Sequence, residues 1–146
     1  MKSRLVVLVV LLTTVLLSAG AVTAPTYASA RSDWTPLMDF KKAKVQACLS
    51  SFTSTDGDAG YELLVRVDAR KATKKLKVAV QLQTPAAPIW TGKVYETVRP
   101  GRVSRPTSSG GINASVVAST KFKVTIKTLA GTKKVSSGIF SEVPAC

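Results

Sequence analysis

The chain of 146 residues contains no histidine. That absence removes Ser-His-Asp and Cys-His nucleophilic sites and imidazole metal sites together. Eight carboxylates, two cysteines and combinations of serine with lysine remain for chemistry. Cys48 and Cys146 pair most simply as one intramolecular disulfide in an oxidising compartment. A metal pair would lack further soft ligands, and an intermolecular bridge is the other alternative. Once oxidised, neither cysteine supplies a thiolate nucleophile. Among the carboxylates, Glu96 stands apart from turns and termini and neighbours Tyr95 and Trp90. A glycosidase needs two carboxyls about 5–10 Å apart across a sugar-sized cleft, and a chain this short has little material to wall one. The expectation is a non-enzymatic protein without cofactor or metal.

Three other groups could bind rather than react. Asp56, Asp58 and Glu62 in D-G-D-A-G-Y-E could set oxygens around a hard cation, but the run falls short of the twelve-residue calcium loop. Asp and Gly also build turns without any metal, and a turn is the expectation. Arg99, Arg102 and Arg105 share one Pro/Gly-rich stretch, where guanidinium forks could grip phosphate, sulfate or carboxylate. Lys75, Lys77, Lys121 and Lys123 belong to two similar runs, K-L-K-V-A-V and K-F-K-V-T-I. If those runs are neighbouring strands, the four lysines and Lys127 share one solvent face. Lysines that merely guard strands against edge pairing would look the same. Asn113-Ala114-Ser115 fits a glycosylation acceptor, which matters only in a eukaryotic host.

The elements that must position these groups read as strands. Residues 31–43 form an irregular lead-in whose Trp34, Leu37, Met38 and Phe40 dock on a core, with a short helical turn capped by Ser32 or Asp33 as the alternative. Strands follow at 45–52, 61–68, 75–82, 89–98, 112–118, 121–128 and 133–140, marked by period-two alternation and separated by turn chemistry. Trp90 and Tyr95 fall on opposite faces of the fourth, and residues 99–111 form a long loop. About seven strands with no useful helical period predict an all-β, antiparallel β-sandwich, immunoglobulin-like or fibronectin-like in strand count, with a small barrel as the alternative. In an immunoglobulin-like order the third and sixth strands are neighbours, which would bring the two lysine runs together.

The N-terminus carries its own signal. Lys2 and Arg4 precede an apolar run from Leu5 to Leu17, then small residues and Ala28-Ser29-Ala30. That order predicts a secretory signal peptide over residues 1–30, with earlier cuts after Ala21 or Ala24 as alternatives. An uncleaved anchor is the competing reading, since the uncharged stretch could span about 30 Å of hydrocarbon. Its Thr, Ser, Ala, Gly and Pro content argues against that. Ala21 also stands where a lipoprotein would carry cysteine. A cut after Ala30 leaves 116 residues, one domain at 44–146 behind its lead-in, with 19 basic and 8 acidic residues, a net charge of +11.

Such an excess points to polyanions: envelope polymers, acidic polysaccharide, anionic lipid head groups or released nucleic acid. No aromatic-rich platform motif marks a specific nucleic-acid reader. The function expected is a secreted binding module for an anionic envelope or extracellular partner. The alternative is a protein-interaction domain, inhibitor or adhesin, anchored by exposed Trp90 and Tyr95.

Overall fold

The computed structural model describes residues 34–146. The expected signal peptide lies outside the described residues. Eight strands run β1 (Thr35–Phe40), β2 (Ala43–Thr53), β3 (Ala59–Asp68), β4 (Leu76–Gln83), β5 (Glu96–Val98), β6 (Thr107–Asn113), β7 (Lys121–Thr128) and β8 (Lys133–Ile139). They form two four-stranded antiparallel sheets, β1-β2-β3-β6 and β5-β4-β7-β8. The protein is an all-β sandwich. Among the described residues no helix is long and apolar enough to cross a membrane.

Alternation builds the core. Val45, Ala47 and Leu49 of β2 face Leu63, Val65 and Val67 of β3, and all are buried. Leu76, Val78, Val80 and Leu82 of β4 and Phe122, Val124 and Ile126 of β7 supply the opposing layer. Because successive side chains point to opposite faces, one apolar layer per sheet is enough to fill the space between them. Phe140, wholly buried where β8 ends, closes the core near the β6–β7 connection, its amide donating to the Thr120 carbonyl.

Cys48 and Cys146 are disulfide-bonded across a separation of 98 residues. β1 pairs with β2 only as far as Ala47. Beyond it the C-terminal segment takes the same edge: the Leu49 amide donates to the Pro144 carbonyl and the Cys146 amide donates to the Leu49 carbonyl. The bridge thus fastens a final strand-like segment onto a sheet edge. A disulfide is compatible with an extracellular setting.

Four local expectations are corrected. The lead-in is not irregular: residues 35–40 form β1, with a bulge between Pro36 and Met38, after which Met38 and Phe40 alternate with Asp39 and face the core. The expected strand at 89–98 shrinks to Glu96–Val98: ahead of it the backbone meets β4 at Thr91, without a continuous ladder. Residues 107–111, expected in a loop, begin β6, where Ser and Gly still supply backbone hydrogen bonds to β3. Residues 114–119, expected as strand, are a 3₁₀ turn whose first amides need a cap. The Asn113 carboxamide oxygen accepts from the Ser115 amide and supplies it.

Residues 84–95 instead run beside the free edge of β4 and lay the Trp90 and Tyr95 rings against Lys123 and Lys127 on the outer face of β7. The Thr91 amide donates to the Leu82 carbonyl, and Gln81 Nε2 donates to the Thr91 carbonyl. This cover buries the outward-facing Ala79 and Thr125 completely or nearly so. Thr125 Oγ1 is left without a hydrogen-bond partner among the described residues. An unpaired buried hydroxyl costs about 1–3 kcal/mol in desolvation. Thr125→Val, which keeps the branched shape, is therefore expected to raise the unfolding free energy by about 1 kcal/mol in guanidinium titration. A loss of stability would mean that the hydroxyl has a partner after all.

Candidate functional site: a basic pole

Strand direction decides which connections meet. β1, β3, β5 and β7 all finish at one end of the sandwich, and β2, β4, β6 and β8 all leave from it. The four connections gathered there are residues 41–42, 69–75, 99–106 and 129–132. The first brings Lys41 and Lys42, the second Arg70, Lys71, Lys74 and Lys75. The third brings Arg99, Arg102 and Arg105, and the fourth opens into Lys133 and Lys134 of β8. These are eleven cations, and no acidic residue stands among them in the connections. Asp39, Asp68 and Glu96 border them at strand ends.

The connections touch. The Ala69 amide donates to the Arg102 carbonyl, and the Gly101 amide donates to the Ala69 carbonyl. Lys134 Nζ donates to the Asp39 carbonyl. Arg99, Arg102 and Arg105 line one open groove of about 760 Å³ with Glu96, Ser104 and Ser108. Lys41, Lys74 and Lys75 line a second, of about 590 Å³, with Leu76, Thr128 and Leu129.

Few of these charges are compensated. The only ion pair among the described residues is Arg70–Asp68, at 2.6 Å. Hydrogen bonds from the Arg70 side chain and amide hold the Asp68 carboxyl down at about 2. It therefore stays ionised at any ordinary pH and offsets one cation. The guanidinium groups of Arg99, Arg102 and Arg105 make no hydrogen bond or ion pair among the described residues.

The lysine face lies on the adjoining sheet. The third and sixth expected strands, β4 and β7, do pair, with Lys77 opposite Lys127 and Gln81 opposite Lys123. β8 then places Lys133 opposite Lys127, so Lys77, Lys127 and Lys133 form a row across three strands at the margin of the pole. Directly opposed residues sit about 4.5–5.5 Å apart, where like charges destabilise.

The predicted groups therefore divide. Lys75 and the three arginines belong to the pole, and Lys77 to its margin. Lys123 lies farther along the face, with Nζ 3.9 Å from the Trp90 ring centroid. Lys121, opposite Gln83, stands at the other end of the sandwich and lines a hollow with Pro85, Pro88 and Ser119. Trp90 and Tyr95 are not exposed anchors: both are half-buried, and the Tyr95 ring centroid is 3.9 Å from Lys127 Nζ.

Elsewhere, Asp56 and Asp58 sit in the β2–β3 turn, closed by the Ser54 amide donating to the Asp58 carbonyl. Glu62 is turned away from them and accepts from Ser108 Oγ. Sequence reasoning misses the pole because its contributors are spread from residue 41 to residue 134. The signal that could have found it is that the connections at 41–42, 69–75 and 99–106 are dense in Lys and Arg, while the intervening ones at 54–58, 84–95 and 114–120 carry a single cation, Lys93.

The opposite end, with the segment after β8, carries Asp56, Asp58 and Glu142 against Lys93 and Lys121. The molecule is accordingly polarised along its strands. No family model, no curated protein and no solved structure matches the chain, so the reading of this pole rests on its own geometry.

Proposed function

We propose that the protein is an exported, non-enzymatic binding module that engages an anionic surface or polymer through its basic pole. The observation that carries this reading is the convergence of eleven cations, nine from three connections and two from the start of β8, with one ion pair to a carboxylate among the described residues. Charge that served solubility alone would gain from being dispersed, since concentrating like charges raises self-repulsion. The lysine groove supplies point charges, and the arginine groove supplies planar forks suited to phosphate, sulfate or carboxylate. An immunoglobulin-like connectivity goes with this reading: from β2 onward, the first, second and fifth strands share one sheet and the sixth pairs with the third. The alternative, a protein-interaction domain anchored by Trp90 and Tyr95, is not favoured, because both rings are packed on lysines.

Binding to a sulfated polysaccharide across a salt series tests the proposal. Affinity is expected to fall steeply with salt. Replacing Arg99, Arg102 and Arg105 together by Gln should flatten the log–log slope by about 2–3, at roughly 0.7–0.9 for each anion no longer neutralised. Lys121→Gln, at the far end, should leave the slope unchanged. No binding at low salt, or an equal loss from Lys121→Gln, would overturn the assignment to the pole.

A further inference from the structure

Two exposed aliphatic side chains stand among the cations of the pole. Leu129 sits in the β7–β8 turn and is 63% exposed. It shares its groove with Lys41, Lys74 and Lys75 and is flanked along the chain by Lys127 and Lys133. Val103 is 42% exposed in the β5–β6 connection, next to Arg102 and between Arg99 and Arg105. Neither contributes to the core. Isolated exposed apolar residues are ordinary. Ile89 and Val94 are more exposed but stand in the β4–β5 connection beside one cation, Lys93, whereas Leu129 and Val103 each stand among several Lys or Arg at the charged end.

A soluble polyanion would satisfy the cations and gain nothing from Leu129 or Val103. A bilayer with anionic head groups satisfies both sets. Each Lys or Arg near such a surface is drawn by its negative potential, and apolar side chains bury about 5–10 Å deep at the boundary between head groups and acyl chains. Lysine stems can lie along that boundary while their ammonium groups remain among phosphates. Polarity along the strands sets the orientation, since a negative surface attracts the pole and repels Asp56, Asp58 and Glu142 at the other end. Resting on the basic-pole reading above, we propose that this end docks on an anionic lipid bilayer, with Leu129 and Val103 entering the head-group region.

The test uses residues 31–146, which hold every described element and both cysteines, so the apolar N-terminal run cannot itself enter lipid. Binding is compared on vesicles of phosphatidylcholine alone, on vesicles mixed with phosphatidylglycerol, and on soluble polyphosphate. Binding to the mixed vesicles and not to phosphatidylcholine alone is expected. Replacing Leu129 and Val103 together by Asn should weaken vesicle binding about tenfold and polyphosphate binding by less than about twofold. In a Leu129→Trp variant, tryptophan emission should shift to the blue on the mixed vesicles only. Equal vesicle affinity with and without the two aliphatics, or no blue shift, overturns insertion. Binding to polyphosphate without binding to vesicles overturns the lipid source and leaves the anionic-partner reading standing. Binding to neither overturns both.

Discussion

A variant with both Cys48 and Cys146 replaced by alanine is expected to unfold about 4–5 kcal/mol more easily than the parent. The bridge spans 98 residues of sequence, and closing so long a loop removes that much entropy from the unfolded chain. The native state should feel the loss at one place. Without the bridge, the two hydrogen bonds between Leu49 and the C-terminal segment must hold the terminus alone, and a free terminus frays. The β2 edge beyond Ala47 would then open and become a template for pairing with other chains. For a domain of this size the fall in Tm should be on the order of 15 °C. Calorimetry of the double variant, and of the parent under reductant, should give the same loss. A difference below about 1 kcal/mol would mean that pairing and the Phe140 core hold the terminus without help.

The second large effect has the opposite sign for stability. Lys41 and Lys42, the two residues that turn β1 into β2, have φ of 48° and 66°. Left-handed backbone costs a residue with a Cβ about 1–2 kcal/mol, and hairpin turns of this kind favour Asn-Gly. Exchanging Lys41 for Asn and Lys42 for Gly should therefore raise the unfolding free energy by about 1–2 kcal/mol. Lys133→Thr, which thins the row of opposed lysines, should add a few tenths. The same triple variant should lose affinity for anionic vesicles and polyphosphate, because three cations leave the pole and its margin. Raised stability with weakened binding would identify the strain and the repulsion as features retained for function. Raised stability with intact binding would place the contact surface elsewhere on the pole, at the arginine groove.

Both predictions concern arrangements that no single stretch of sequence displays. The cysteine pairing is legible because the chain has only two cysteines. Its structural consequence, a C-terminal segment continuing the edge that β1 vacates, depends on β1 being a strand. The bulge between Pro36 and Met38 hides the period-two pattern in residues 35–40. The third and sixth expected strands are legible as partners because K-L-K-V-A-V and K-F-K-V-T-I repeat a pattern suited to one sheet. Their lysines read as one group along the sequence. The register instead gives Lys77 and Lys127 to the pole's margin, Lys123 to Trp90 and Lys121 to the far end.

The all-β class, the sandwich architecture and the disulfide follow from residue order and count. Alternation, turn residues and cysteine number are local or countable signals, and hydrophobic burial acts on each strand wherever it lies. The excess of positive charge is likewise a property of composition. Where that charge accumulates is a property of the folded chain. Antiparallel order sends alternate connections to opposite ends, so cations far apart along the chain converge, while Asp56 and Asp58 of the β2–β3 turn are carried to the other end. Packing also settles the fate of Trp90 and Tyr95. Their segment reads as strand from composition. Its ladder to β4 is confined to Glu96–Val98, and two lysines on a neighbouring strand offer the rings a place to stack. Propensity describes the residue, and the partner it meets is set by the fold.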